Sequence, residues 1–189
     1  QRGDMSMFGW QLMALRSAEV AGIPMPEETR AKMEQFLKKT ATGKQGGLSA
    51  YMPGEAPKRS MTAESLFSRL ILGVNSDAGA TEEGVAYLMQ ELPKQSRPDL
   101  YYWYYGTLAL YHHGGESWST WNEALQGTLV TTQRKSGHAT GSWDPRDPWS
   151  NYGGRLYATT FSVLSLEVYY RFLPLYQVGG KPEEGKKRK

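Results

Sequence analysis

Two kinds of helical segment alternate along this sequence, and the alternation limits the fold more than any other feature. One kind is nearly apolar around its circumference and is predicted at residues 5–21, 61–74, 99–113 and 155–172. The other kind is amphipathic and is predicted at residues 27–40, 81–92 and 117–133. A helix without a polar face must be buried on all sides, whereas an amphipathic helix meets water on one side. The sequence therefore predicts an all-α fold of stacked helical hairpins, with no β-strand.

The four apolar segments align with one another without gaps. Each carries an aromatic residue followed five positions later by leucine, and the pairs are Trp10 with Leu15, Phe67 with Leu72, Tyr105 with Leu110, and Phe161 with Leu166. The position after the aromatic residue is mostly small and holds Gln11, Ser68, Gly106 or Ser162. Small side chains let neighbouring helices approach closely. We therefore expect the apolar segments to be copies of one structural unit.

Buried inner helices, half-buried outer helices and long glycine-rich connections are typical of two concentric layers curved around an axis. A flat solenoid of the same hairpins would expose both faces of its stack, and its inner helices would be more polar than these. The pattern favours an α/α toroid, here an incomplete ring of about three and a half hairpins. We assign residues 1–176 to this repeat domain and residues 177–189 to a disordered basic tail.

Charge and composition exclude several classes of function. The tail from residue 179 onward carries five basic and two acidic residues, which accounts for the whole net charge of +3. A nucleic-acid interface needs Lys and Arg clustered on the folded surface, so no nucleic-acid partner is predicted. The absence of cysteine excludes disulfides, thiolate zinc sites and a cysteine nucleophile. No apolar run approaches the roughly 18 residues that cross a bilayer. We predict no transmembrane segment, no metal site and no cofactor.

A motif follows the third amphipathic segment. Gln133 ends that segment, and Gly141 and Trp143 lie in the connection behind it. This arrangement resembles the QW motif of squalene-hopene cyclases, in which a glutamine at the end of an outer helix precedes Gly-x-Trp. Residues 46–51 look like a degenerate copy, and residues 153–160 resemble the entry to an inner helix of such repeats. The glutamine amide is expected to cap the next helix while the tryptophan ring packs over it, which ties neighbouring hairpins together.

The resemblance is to the prenyltransferase and squalene oxidase repeat superfamily and covers most of residues 4–176. It implies a toroid of about six hairpins, so we expect the rest of a longer polypeptide, or another chain, to complete the ring. Class II terpene cyclases protonate an alkene with an Asp-x-Asp-Asp motif, which this chain lacks, since Asp144 and Asp147 have the wrong spacing. Protein prenyltransferases hold zinc through Asp, Cys and His, and no cysteine is present.

The sequence is compatible with three functions. The absent catalytic motifs favour a terpenoid-cyclase or prenyltransferase-like repeat module with a non-catalytic binding or scaffolding role. The second is a terpenoid cyclase or prenyltransferase-type enzyme completed by sequence outside this chain. The third is a polysaccharide lyase or glycosidase on an α/α toroid, acting through Tyr, His and Arg or through paired carboxylates. The expected ligand is accordingly either apolar or a glycan.

Polar residues recur at the starts of the apolar segments, and these starts surround one mouth of a toroid. The resemblance makes that mouth the catalytic end. The candidate pocket residues are Asp4, Glu64, Asp99, Tyr101, Tyr102, Arg155 and Tyr157. An alternative interpretation is structural, because Asp at a helix start commonly caps the free N–H groups and an Arg there can pair with an Asp. The tyrosines have a similar alternative as packing between the two layers.

Overall fold

The computed structural model describes residues 3–74 and 77–170. The helices are α1 (Met5–Val20), α2 (Glu27–Thr40), α3 (Arg59–Leu72), α4 (Ala78–Met89), α5 (Leu100–His113), α6 (Gly115–Thr132) and α7 (Ser150–Leu166). The expectation of an all-α chain is confirmed for these residues, apart from two short strands. The proposed tail at 177–189, and the end of the predicted last helix at 171–172, lie outside the described residues.

The two strands contradict the prediction that the chain has none. Strand β1 (Ala41–Thr42) pairs antiparallel with β2 (Leu48–Ser49), with Ala41 opposite Ser49. Two residues are too few to show the alternation by which a strand is recognised in sequence. The glycine-rich turn between them is organised by Glu83 of α4, whose carboxylate accepts backbone N–H groups from Lys44, Gln45 and Gly47. A neighbouring helix thus stabilises this local structure.

The helices pack in the order that the alternation predicts. Helix α3 packs between α1 and α5, and α5 also packs against α7. The amphipathic helices lie outside this row, with α2 and α4 against α3, and α6 against α5. Each outer helix buries one stripe, as Trp121, Leu125 and Leu129 do on α6. The described chain is therefore a row of inner helices covered on one side by outer helices.

The aligned aromatic residues of the inner helices meet in space. The Trp10 ring lies 5.9 Å from the Tyr105 ring and 6.1 Å from the Phe161 ring, centroid to centroid. The Phe67 and Tyr105 centroids are 6.4 Å apart. One position of the repeat therefore builds one aromatic cluster between the inner helices, which shows that α1, α3, α5 and α7 are stacked in register.

Burial of the inner helices is uneven. Helices α3 and α5 are largely enclosed, whereas α1 exposes Met7 and α7 exposes Leu156 and Val163. The prediction of burial on all sides is therefore confirmed for α3 and α5, and it is wrong for α1 and α7. The reason is that α3 and α5 each have two inner neighbours, while α1 packs mainly on α3 and α7 mainly on α5.

Candidate functional site

An open cleft of about 840 Å³ lies at the N-terminal ends of the inner helices. Half of its lining residues are aromatic, namely Tyr51, Tyr101, Trp149, Tyr152 and Tyr157. The polar residues of its wall are Ser6, Lys58 and Ser60. The ammonium group of Lys58 lies 5.2 Å from the centre of the Tyr51 ring. The cleft thus offers flat apolar faces beside hydroxyl groups and one cation.

A kink in α7 forms one wall of the cleft. Gly154 has φ +60° and ψ −156°, a left-handed backbone conformation that strongly favours glycine, and it separates the first turn of α7 from the rest. Tyr152, on that first turn, is 88% exposed, and Trp149, which immediately precedes α7, is 54% exposed. Side chains that large and apolar are left in water and available to a ligand.

The first turn of α7 is held in place by the buried carboxylate of Asp147. Its Oδ1 accepts the backbone N–H of Ser150 at 2.7 Å and the Ser150 hydroxyl at 2.6 Å. Its Oδ2 accepts the backbone N–H of Leu100 at 3.0 Å, at the start of α5. One side chain therefore caps two helix starts. The sequence signal for this turn is an Asp beside a proline, a pattern for which turn formation is the default interpretation and a role as an acid is the alternative.

Glu64 is the most unusual residue next to the cleft, because its carboxyl group is completely buried. Its Oε2 accepts the Tyr101 hydroxyl at 2.9 Å, and its Oε1 accepts the backbone N–H of Gly9 at 3.0 Å. Burial raises the pKa of Glu64 to about 8, although these two hydrogen bonds act in the opposite direction. The nearby charge of Asp4 raises that pKa further. Glu64 is accordingly mostly protonated at neutral pH.

Protonated Glu64 can keep the same contacts if the direction of its hydrogen bond with Tyr101 is reversed. Glu64 then donates its proton to the Tyr101 oxygen, and the Tyr101 hydroxyl donates to the Ser6 carbonyl, which lies 3.3 Å away. Tyr101 also lines the cleft. A buried acid is thus connected to the cleft by one phenol, and a proton can pass between them along an existing hydrogen bond.

Glycine at position 9 is required by this arrangement. A Cβ atom there would overlap the Glu64 carboxyl group. The sequence pattern predicted Glu64 and Tyr101 as pocket residues but contained no signal for the role of Gly9, because Gly9 and Glu64 are 55 positions apart.

The predicted pocket residues separate into two groups. Glu64, Tyr101 and Tyr157 lie at the cleft or directly behind it. Asp4 lies at its edge, where it caps α1 by accepting the Met7 N–H at 3.0 Å and also accepts the Ser6 hydroxyl. Burial raises the pKa of Asp4, but these hydrogen bonds outweigh burial, so that the net pKa is lowered.

Asp99, Tyr102 and Arg155 have other contacts. Asp99 caps α5 through the Tyr102 N–H, and burial raises its pKa. The Tyr102 hydroxyl donates to the Leu88 carbonyl at 2.9 Å, so its ring is directed at α4. Arg155 pairs with Asp144 at 2.7 Å. Helix capping, ion pairing and packing between helices, the structural interpretation of these residues, therefore account for the contacts of all three. Eight of the ten residues that line the cleft were not predicted as pocket residues from the sequence, and the aromatic and charged ones among them are Tyr51, Lys58, Trp149 and Tyr152.

The QW-like connection is a compact structural joint. The Gln133 side-chain amide donates to the Gly141 carbonyl at 2.9 Å, inside the loop, and not to the next helix as expected. The buried Trp143 ring donates its indole N–H to the Leu129 carbonyl at 2.8 Å. Its backbone N–H lies 3.3 Å from the Thr159 hydroxyl on α7. Trp143 therefore connects the end of α6 to the following inner helix.

In comparisons with known proteins, no family, no curated protein and no solved structure matches the chain. Within residues 3–74 and 77–170, no cluster of three or more His, Cys, Asp or Glu side chains is arranged to hold a metal ion. Across that same part of the chain, no helix has the length and apolar character needed to cross a membrane.

Proposed function

We propose that this chain is a ligand-binding repeat module of the α/α toroid type, resembling terpenoid cyclases and prenyltransferases, and that its aromatic cleft binds a glycan. The toroid is supported by the consecutive packing of α1, α3, α5 and α7 and by the aromatic cluster at one repeat position. The ring is completed by the rest of a longer polypeptide or by another chain.

The composition of the cleft wall indicates the class of ligand. A pyranose ring has an apolar face of C–H groups, which stacks on flat aromatic rings, and a rim of hydroxyls, which bonds to polar groups. Trp149 and Tyr152 supply exposed rings, and Ser60 with the Tyr101 hydroxyl supplies polar contacts. A purely apolar isoprenoid would cover Ser60 and the Tyr101 hydroxyl without forming hydrogen bonds to them, which costs free energy.

Calorimetric titration of the protein with neutral and acidic hexasaccharides tests this proposal. We expect Trp149→Ala and Tyr152→Ala each to weaken binding about tenfold, which corresponds to about 1.4 kcal/mol. Tyr170→Ala is the matched control, because Tyr170 is also on the surface, 80% exposed, and does not line the cleft. Binding of farnesol with no response to any hexasaccharide would contradict the glycan assignment and support an isoprenoid ligand.

A second function is favoured by one observation, the hydrogen-bonded pair of Glu64 and Tyr101. A phenol in the cleft wall can pass its proton to the leaving oxygen of a bound glycan while the neutral carboxyl group behind it supplies another. The two transfers must occur together, because burial raises the pKa of the Tyr101 hydroxyl and disfavours a phenolate. This is the general-acid half of glycan hydrolysis, and the other half is a base that activates the attacking water. The release of new reducing ends from a bound oligosaccharide would show it. Glu64→Gln should abolish that release and leave binding unchanged, whereas a pure binding module releases none.

A further inference from the structure

A second cavity lies at the opposite end of the inner helices. It has a volume of about 350 Å³, is open to solvent like the first cleft, and is bordered by the C-terminal parts of α3 and α5 together with α4. Its aliphatic residues include Leu66, Leu70, Val85 and Ala109, and its basic residues are Arg69, His112 and His113. None of the residues described as lining it is acidic. The cavity therefore combines aliphatic and basic side chains.

Arg69 is half-buried there, and no residue in the described part of the chain forms an ion pair with it. One of its terminal nitrogens donates to the Gly46 carbonyl at 3.0 Å. Burial lowers its pKa, but a guanidinium group keeps its charge at any physiological pH. A cation withdrawn from water is normally paired, so this one has donors to spare for an anion.

The two histidines add to the same side of the cavity. His112 stacks on Phe67 with ring centroids 6.1 Å apart, which fixes its position. His113 lies 4.0 Å from Glu82, a carboxylate whose side chain is 70% exposed and oriented to solvent. Arg69 lies in the last turn of α3, where the helix dipole favours a cation. Burial lowers the pKa of His112, which favours its neutral form, so Arg69 is the permanent charge of this cavity.

We propose that this cavity binds a small amphiphilic anion, a carboxylate or phosphate monoester with a short aliphatic chain. Arg69 holds the anionic group with its planar pair of donors, and the aliphatic wall holds the chain. The volume falls at the lower end of the range for ligand sites, roughly 300–1,000 Å³. This site and its ligand are separate from the glycan cleft, and either can be wrong without affecting the other.

Calorimetric titration of the full chain with octanoate, octyl phosphate and 1-octanol tests the proposal. We expect at least one of the anions to bind ten times more tightly than the neutral alcohol, and the comparison of the two identifies the preferred head group. Arg69→Met should remove this preference. Arg97→Met is the control and should keep it, because the Arg97 side chain is 75% exposed and lies outside the cavity. Equal binding of octanol and both anions, or no binding of either anion, overturns the proposal.

A stability measurement distinguishes binding from a purely structural role for Arg69. Arg69→Met removes the desolvation penalty of a half-buried cation and also its hydrogen bond to the Gly46 carbonyl. These effects oppose each other, so the variant should unfold at about the same urea concentration as the wild type. A markedly lower midpoint would show that Arg69 serves mainly a structural role and counts against the proposal. Arg69→Lys retains the charge without the planar donors and should bind the anion about tenfold more weakly.

Discussion

Replacing Glu64 by Gln tests the central feature of the cleft with almost no change in shape. The Gln side chain can accept the Gly9 N–H with its oxygen and donate its NH₂ group to Tyr101, whose hydroxyl then donates to the Ser6 carbonyl. These are the contacts of the protonated glutamic acid. The variant therefore keeps the contacts of the protonated wild type with a side chain that cannot ionise.

The size of the effect follows from the pKa of Glu64. The unfolded chain releases the Glu64 proton near pH 4.5, whereas the folded chain retains it until about pH 8. Between these values folding must recover a proton, so the free energy of unfolding falls by up to about 1.4 kcal/mol per pH unit. The stability contributed by this group is complete below pH 4.5 and is lost as the pH rises to about 8. The Gln variant has no such loss.

Urea unfolding followed by circular dichroism at pH 5, 6, 7 and 8 measures the difference. We expect the free energy of unfolding of the wild type, relative to Glu64→Gln, to fall by roughly 4 kcal/mol across this range. Glu28→Gln is the control, because the Glu28 side chain is 79% exposed and its pH profile should follow the wild type closely. Parallel profiles for wild type and Glu64→Gln would mean that Glu64 has an ordinary pKa in the folded protein, which would refute the raised pKa of the buried carboxyl group.

Two further predictions concern packing and use the same unfolding measurement. Gly106→Ala should lower the free energy of unfolding by about 1–3 kcal/mol, because the new Cβ would lie 2.5 Å from the Trp121 ring. Gly127→Ala is its control on an outer helix, where no atom lies within 4 Å, and should raise stability by about 0.5–1 kcal/mol, so equal shifts of the two would contradict the packing. Trp143→Phe should lose about 1 kcal/mol with its hydrogen bond to the Leu129 carbonyl, and an unchanged unfolding midpoint would show that the indole N–H contributes nothing.

The helical repeat could be predicted from sequence because it depends on local pattern. Hydrophobic periodicity distinguishes enclosed from half-enclosed helices, and the gapless alignment places Trp10, Phe67, Tyr105 and Phe161 at one level. In the structure, contacts among these rings link all four inner helices. A position that repeats in sequence therefore repeats in space when the units stack in register.

The cleft could be predicted only in part, because it depends on contacts between distant segments. Tyr101 and Tyr102 are adjacent on α5, but positions one apart on a helix point about 100° apart. One faces the cleft and the other α4, and the sequence alone does not say which. The wall formed by Trp149 depends on the backbone conformation of Gly154, which a helix predicted to begin at residue 155 leaves undetermined.

The buried carboxyl group of Glu64 lowers the stability of the fold, and this loss indicates that the cleft has a function. At pH 7 the buried carboxyl group lowers stability by about 3 kcal/mol relative to a group that does not ionise. The helix that faces it also carries Gly9 in its interior, at a further cost of roughly 1 kcal/mol relative to alanine. Proteins retain such local penalties mainly where they serve a function. Both penalties converge on the hydrogen bond to Tyr101, the residue through which the buried acid reaches the cleft.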